Sequence, residues 1–171
     1  FYGSLVAMAW AVHADPALVH SVFDAETIAN YEAMYNPTSE QYLRERPADS
    51  DVLMFGFYVR NNTGIGLQTF ASGLLAGLGT VFILLFNGVA IGTTFGHLHS
   101  VGHSSTLLPF IIGHSALELT AIQLSGAAGL RLGLGVLAPG LLRRRDAVQL
   151  AARRTLPIVL GMGCLLYTSP S

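Results

Sequence analysis

The apolar positions of this chain form long runs, separated by one extended polar segment and one arginine-rich segment. The run at residues 107–134 is long enough to cross a bilayer, which takes about 20 consecutive apolar residues. The run at residues 51–98 carries only Arg60 as a charge after its first residue and is long enough for two crossings. This pattern predicts an all-α, polytopic transmembrane helical bundle.

Glycine and proline indicate where these helices end. Gly73, Gly77 and Gly79 crowd near the middle of the longer run, so we predict a turn at residues 77–80 between helices at about 55–77 and 80–99. Pro109 suits the first turn of the next helix, and Pro139 with Gly140 suits its end. Residues 55–138 are therefore expected to form a three-helix transmembrane core.

The two ends of the chain are also apolar, but each run is short. Residues 1–12 are interpreted as the end of a truncated transmembrane helix, with a cleaved signal peptide as the alternative. Residues 155–171 are interpreted as another truncated transmembrane helix followed by a tail of doubtful origin. On this interpretation the chain is a fragment.

Residues 13–54 form the polar segment and are predicted to be a short extracytoplasmic helical segment. Asp24 is placed to cap a helix that continues to about Met34, and Thr38 or Ser39 to cap a second helix that ends near Arg44. One face of the first helix is apolar, at Ile28, Tyr31, Met34 and Tyr35. Two surface helices are favoured over a separate binding domain.

Composition agrees with a membrane protein. The chain is 51% hydrophobic and 11% charged, against about a quarter charged in a soluble domain. The alternative, a soluble helical protein with a very apolar core, does not explain such long uncharged runs. The net charge of −1 does not favour nucleic acid as a partner.

The arginines indicate an orientation. Residues 139–154 are predicted to be a loop, and they contain Arg143, Arg144, Arg145, Arg153 and Arg154. Short cytoplasmic loops of membrane proteins are rich in basic residues. We therefore expect a multi-pass protein of the bacterial inner membrane, with residues 139–154 in the cytoplasm and residues 13–54 outside.

Several polar side chains lie inside the apolar runs and form a predicted intramembrane polar cluster. His114 and Glu118 are four residues apart, so they share one face of a helix. The pair can be a proton relay, a transport site or a catalytic dyad, or a polar clamp that fixes helix packing with Asn87 or Gln68 as partner. Asn61 and Asn62 are interpreted as polar members of the same bundle, with helix-end hydrogen-bond donors as the alternative.

Small residues recur within the apolar runs, at a spacing of four in Gly88, Gly92 and Gly96 and as a small-residue segment at 125–129, which permits close helix packing in a membrane. The predicted packing positions are Gly73, Gly77, Gly88, Gly92, Gly96, Gly126 and Gly129. His97, His99, His103 and His114 are close in sequence, but no HExxH motif or cysteine pair accompanies them, so no metal site is predicted. No catalytic residues and no cofactor are predicted, and the chain is not expected to be an enzyme.

Four blocks of the sequence resemble the stage II sporulation protein M family of bacterial membrane proteins. They are FYVRNN at 57–62, FASGLLAGLGT at 70–80, Asn87-Gly88 with Gly92, and PFIIGHSALELTAIQLSGAAGLRLG at 109–133. The resemblance extends from about Glu26 to the arginine-rich segment. It implies a polytopic inner-membrane protein with about five helices at full length.

In spore formers the founding member of this family is part of an engulfment complex that works with peptidoglycan-degrading partners. His114 and Glu118 match the branch of the family found in non-sporulating bacteria, so the sporulation role itself is not transferred. The first hypothesis is a membrane scaffold or assembly component of a cell-envelope complex, whose partners are the lipid bilayer and other envelope proteins. The second is a transporter component, and the third is an intramembrane enzyme.

Overall fold

A computed structural model describes residues 1–36, 48–110 and 116–168 of the chain, and every regular element in these ranges is helical. The predicted all-α fold is therefore confirmed. The second predicted surface helix, at residues 38–44, and His114 lie outside the described residues. The α-helices are α1 Tyr2–Ala14, α2 Ala25–Tyr35, α3 Ala48–Ala71, α4 Leu78–Ser100, α5 Ser104–Phe110, α6 Ala116–Leu137 and α7 Arg144–Thr168, with 3-10 helices at Pro16–Ser21 and Ser72–Leu74.

The chain divides into two compact units, and the boundary between them falls within α4. The first unit comprises residues 1–48 and 85–113, and the second comprises residues 49–84 and 114–171. In the first unit Val12, Val19 and Ile28 form a buried cluster. In the second, Ala121 of α6 is buried against Met162 and Leu166 of α7.

Helix α2 begins where the sequence predicts. The carboxylate of Asp24 accepts a hydrogen bond from the Thr27 amide at 2.8 Å, which satisfies one of the free N–H groups of the first turn. The backbone N–H and then the hydroxyl of Thr27 hold the pKa of Asp24 below its ordinary value. Ile28 is buried, so the apolar face of this helix packs on the first core cluster.

The predicted helix at 80–99 corresponds to α4, whereas the helix before it ends earlier than predicted. Helix α3 ends at Ala71, and a 3-10 turn follows it. Ala76 and Gly77 then have φ values of 55° and 81°, in the left-handed region where a helix cannot continue. The turn therefore precedes Leu78 instead of occupying residues 77–80.

The prediction that Pro109 lies in the first turn of a helix is wrong. Helix α5 begins at Ser104, and Pro109 is its sixth residue. The carbonyl oxygen of His103 accepts hydrogen bonds from the Leu107 amide at 3.1 Å and from the Thr106 amide at 3.3 Å. These bonds start the helix at Ser104, five residues before Pro109.

Residues 144–154 are helical, in contrast to the predicted arginine-rich loop. Helix α7 starts at Arg144 and carries Asp146 in its first turn, where a negative charge is favourable. Ala147, Ala151 and Thr155 are buried at a spacing of four. An apolar stripe therefore continues through the basic segment, and the arginines occupy the exposed face of the helix.

Candidate functional site

In the first unit α4 packs against α1 through its glycines. The contacted positions are spaced by four residues on both helices. Residue numbers increase in the same direction along α4 and α1, so the two helices run parallel. An added methyl group would meet Phe1 and Ser4 at Gly88, the Leu5 carbonyl at Gly92, and the Ala9 carbonyl at Gly96. Backbone therefore contacts backbone along this interface, as small residues permit.

Beyond this interface, a side-chain hydrogen bond joins the end of α4 to α2. Nε2 of His97 lies 2.7 Å from Oε1 of Glu32. Because a carboxylate only accepts hydrogen bonds, Nε2 carries the hydrogen and donates it. His97 is 8% exposed, and its Nδ1 is buried without a partner among the described residues. Glu32 therefore supplies the polar contact of a buried imidazole.

Glu32 is absent from the predicted site, although its position contains a signal. It follows Ile28 by four residues and precedes Tyr35 by three, so it lies on the apolar face of α2. A carboxylate that is only partly exposed, on a face that packs against the protein, is stabilised by a polar partner. The partner is 65 residues away in sequence, and local patterns therefore do not reveal it.

Three further contacts tie neighbouring polar segments together in this unit. The His99 ring lies beside the His13 ring, with centroids 5.1 Å apart and the ring planes tilted by 46°, and its Nδ1 lies 2.7 Å from the Ser104 hydroxyl. The Thr106 hydroxyl donates to the carbonyl oxygen of Tyr35, the last residue of α2. Together with the Glu32–His97 pair, these contacts fix α2 against the ends of α4 and α5.

Glu32→Ala is expected to lower the free energy of unfolding by about 1–2 kcal/mol, because it leaves the buried His97 imidazole without an acceptor. Glu32→Gln should restore most of this loss, since its amide oxygen can accept the same hydrogen bond. The measurement is denaturant or thermal unfolding in detergent. The control is Glu26→Ala, at an exposed acid of the same helix. An equal loss of unfolding free energy in both variants would contradict a stabilising role of the Glu32–His97 contact.

In the second unit α3, α4 and α6 meet at Gly129. The Thr80 hydroxyl donates to the carbonyl oxygen of Thr69 at 2.7 Å, and both threonines are fully buried. A methyl group on Gly129 would lie 2.5 Å from that hydroxyl and 2.7 Å from that carbonyl oxygen. Gly73 lies against the backbone of Gly129 itself.

The other predicted glycines of this unit also lie at contacts. A methyl group on Gly126 would lie 2.7 Å from Cδ1 of Leu84, and Gly77 provides the positive φ of the turn. The sequence prediction omitted Gly133, where a methyl group would lie 2.6 Å from the Gly77 Cα. It continues the spacing of four from Gly129, which is a signal that could have identified it.

The predicted intramembrane polar residues fall in both units. Asn87, on α4, belongs to the first unit and is partly buried. Glu118 is the third residue of α6 in the second unit and is also partly buried. Gln68 is exposed on α3. It therefore does not have the buried position expected of a packing partner for the His114–Glu118 pair.

A shallow cavity of about 480 Å³ follows one face of α3. It is lined by Arg60, Asn61, Gly64, Ile65 and Gln68. These positions recur every three or four residues, so the polar side chains form a stripe along the helix. Asn62 is adjacent in sequence and partly buried.

Histidines and acids do not assemble into a metal site in the part of the chain that the structure describes. His97 contacts Glu32, whereas His99 contacts His13 and Ser104. These contacts join elements of the fold to each other. These contacts give His13, His97 and His99 a structural role.

Three helices among the described residues are long and apolar enough to cross a membrane: Leu78–Ser100, Leu117–Leu137 and Arg144–Tyr167. The family model described as stage II sporulation protein M matches residues 1–169. Searches of curated proteins and of solved structures gave no match. The helices and the family match together identify a membrane protein.

Proposed function

The chain belongs to the stage II sporulation protein M family, and we propose that it is a scaffold or assembly component of a cell-envelope complex in the bacterial inner membrane. In this proposal it performs no catalysis of its own. It holds other membrane or envelope proteins in place. Residues 13–54 are on the outer side, and the arginine-rich start of α7 is in the cytoplasm.

The observation that carries the proposal is the backbone contact at glycines within each unit. Gly92 lies against the Leu5 carbonyl in the first unit, and Gly73 lies against Gly129 in the second. Such interfaces have no flexible side chains between the helices, so small sliding motions produce clashes. A fixed shape of this kind suits a protein that positions its partners.

The polar segment outside the membrane supports the same role. Glu32 of α2 contacts His97 of α4, and the exposed acids Asp24 and Glu26 lie at the start of α2. Eight of the ten acids of the chain lie between residues 13 and 51. Exposed acids held in a fixed position at the start of α2 can select partners by charge complementarity.

The alternative function is a transporter component, and the polar stripe on α3 is the observation that favours it. Arg60, Asn61 and Gln68 line one cavity along a helix that otherwise carries many apolar residues. Polar side chains within membrane helices often mark the pathways of solutes or ions. In this case the carboxylate of Glu118 would bind the substrate or the coupling ion.

Replacement of Glu118 distinguishes the two functions. For a scaffold, Glu118→Gln should preserve membrane abundance and complement a deletion strain, because the amide keeps an acceptor and adds donors. Glu118→Leu should lower abundance, because it leaves the neighbouring polar groups without a partner. The measurements are the level of the protein in membranes and the rescue of the strain.

Asp146→Asn is the matched control, since Asp146 and Glu118 are the only acids after residue 51. It should change neither measurement. Normal abundance of Glu118→Gln combined with complete loss of rescue would reject the scaffold and favour the transporter, because a charge-dependent step would then be essential.

A further inference from the structure

A second cavity, of about 350 Å³, lies where α6 and α7 are connected. On α6 its lining extends from Arg131 to Gly135 and continues to Ala138, just beyond the end of the helix. On α7 it extends from Ala147 to Arg154 at helical spacing. Each helix therefore contributes one continuous face. A methyl group on Gly135 would lie 3.2 Å from the Ala147 carbonyl oxygen, so the two helices approach closely beside the cavity.

The cavity combines two cations with apolar walls. Arg131 and Arg154 both line it, both are exposed, and neither pairs with a carboxylate among the residues that are described. Leu134, Leu142 and Leu150 supply exposed apolar surface in the same lining. Six of the nine arginines lie between residues 131 and 154, with Asp146 as the only acid there.

The cavity lies near the end of α6 and beside the first three turns of α7. It is formed by the connection between two helices that can each cross a bilayer, Leu117–Leu137 and Arg144–Tyr167. Arg131 is six residues before the end of α6, about 9 Å along the helix axis. An arginine at this depth extends its charged end toward the lipid headgroups and keeps its aliphatic part in the apolar layer.

From this arrangement we propose that the cavity binds one anionic phospholipid. The phosphate lies between the guanidinium groups of Arg131 and Arg154, which donate hydrogen bonds to its oxygens. The glycerol and the first acyl carbons lie against Leu134 and Leu150. Basic pockets between membrane helices are suited to lipid headgroups, and the exposed leucines favour a lipid over a free phosphate. The proposal does not depend on the scaffold function.

The test is native mass spectrometry of the purified full chain in micelles with equal amounts of phosphatidylglycerol and phosphatidylcholine of the same acyl chains. The wild type should retain one phosphatidylglycerol. Arg131→Gln with Arg154→Gln should weaken its binding by about 30-fold. Arg144→Gln with Arg145→Gln removes the same charge outside the cavity lining and should retain the lipid.

One further variant and one competition experiment complete the test. Ala138→Trp fills the cavity at an exposed position without changing charge, so it should also reduce phosphatidylglycerol binding, even if the double arginine variant does not fold. Glycerol 3-phosphate at millimolar concentration should not displace the lipid, because it lacks the acyl chains.

Equal loss in both double arginine variants would overturn the proposal in favour of a general basic surface. Undiminished binding in Ala138→Trp would also overturn it, because the lipid would then be bound outside the cavity. Complete displacement by glycerol 3-phosphate would indicate a site for soluble phosphates and would likewise reject the lipid.

Discussion

Gly92→Leu is expected to abolish most of the folded protein, because a side chain at this position runs into the backbone of α1. A methyl group alone would meet the Leu5 carbonyl oxygen and lie 3.0 Å from the Leu5 Cα. A carbonyl cannot turn away as a flexible side chain can, so α1 and α4 must separate. We expect a loss of at least about 3 kcal/mol, a large part of the stability of an ordinary domain.

The measurement is the yield of monodisperse protein in detergent, followed by thermal unfolding of what is recovered. Gly161→Leu is the matched control, since Gly161 also lies inside a helix but has no atom within 4 Å of the added methyl position. The control should express like the wild type. If both variants give the same yield and the same Tm, the contact between α1 and α4 is not needed for folding.

Gly129→Ala is expected to destabilise the protein by about 2–4 kcal/mol, because it combines overpacking with the loss of a buried hydrogen bond. The new methyl group would take the space between the Thr80 hydroxyl and the Thr69 carbonyl oxygen, which are bonded at 2.7 Å. Gly64→Ala, at a helical glycine with open space around it, should instead be neutral or stabilising, since alanine favours helix.

A double-mutant cycle tests the mechanism of this loss. Thr80→Ala removes the hydroxyl that the methyl group would meet, so the double variant should be about 1 kcal/mol more stable than the sum of the single variants. The Thr69 carbonyl remains close, which makes the rescue partial. If the two changes in the free energy of urea unfolding are strictly additive, the methyl group at position 129 does not act through the Thr80 hydroxyl.

The sequence by itself determined the helical elements and much of their packing chemistry. The apolar runs determined α4, because a helix in lipid satisfies its own backbone groups. Asp24 determined the start of α2, because its carboxylate caps the nearest amides. The glycine spacing of four indicated a close contact on one face of α4, because that spacing keeps residues on the same side of a helix.

The boundaries of the helices were less accessible from local patterns. The arginines near residue 144 suggested a loop, yet Ala147 and Ala151 are buried at helical spacing beside them. Packing on a neighbouring helix overrides the preference that a basic segment shows when it is considered alone. Helix α5 begins at Ser104, so Pro109 lies beyond the first turn where it was expected, because amides bonded to the His103 carbonyl start the helix earlier.

Only the tertiary structure decided which elements meet. The spacing of Gly88, Gly92 and Gly96 does not reveal which helix contacts this face of α4. It also does not reveal that this helix, α1, runs parallel to α4. Glu32 and His97 are joined across 65 positions of the sequence, and Arg131 lines one cavity with Arg154 because α6 and α7 fold back on each other. Sequence periodicity specifies which face of a helix is buried, whereas the partner of that face follows from the packing of the whole chain.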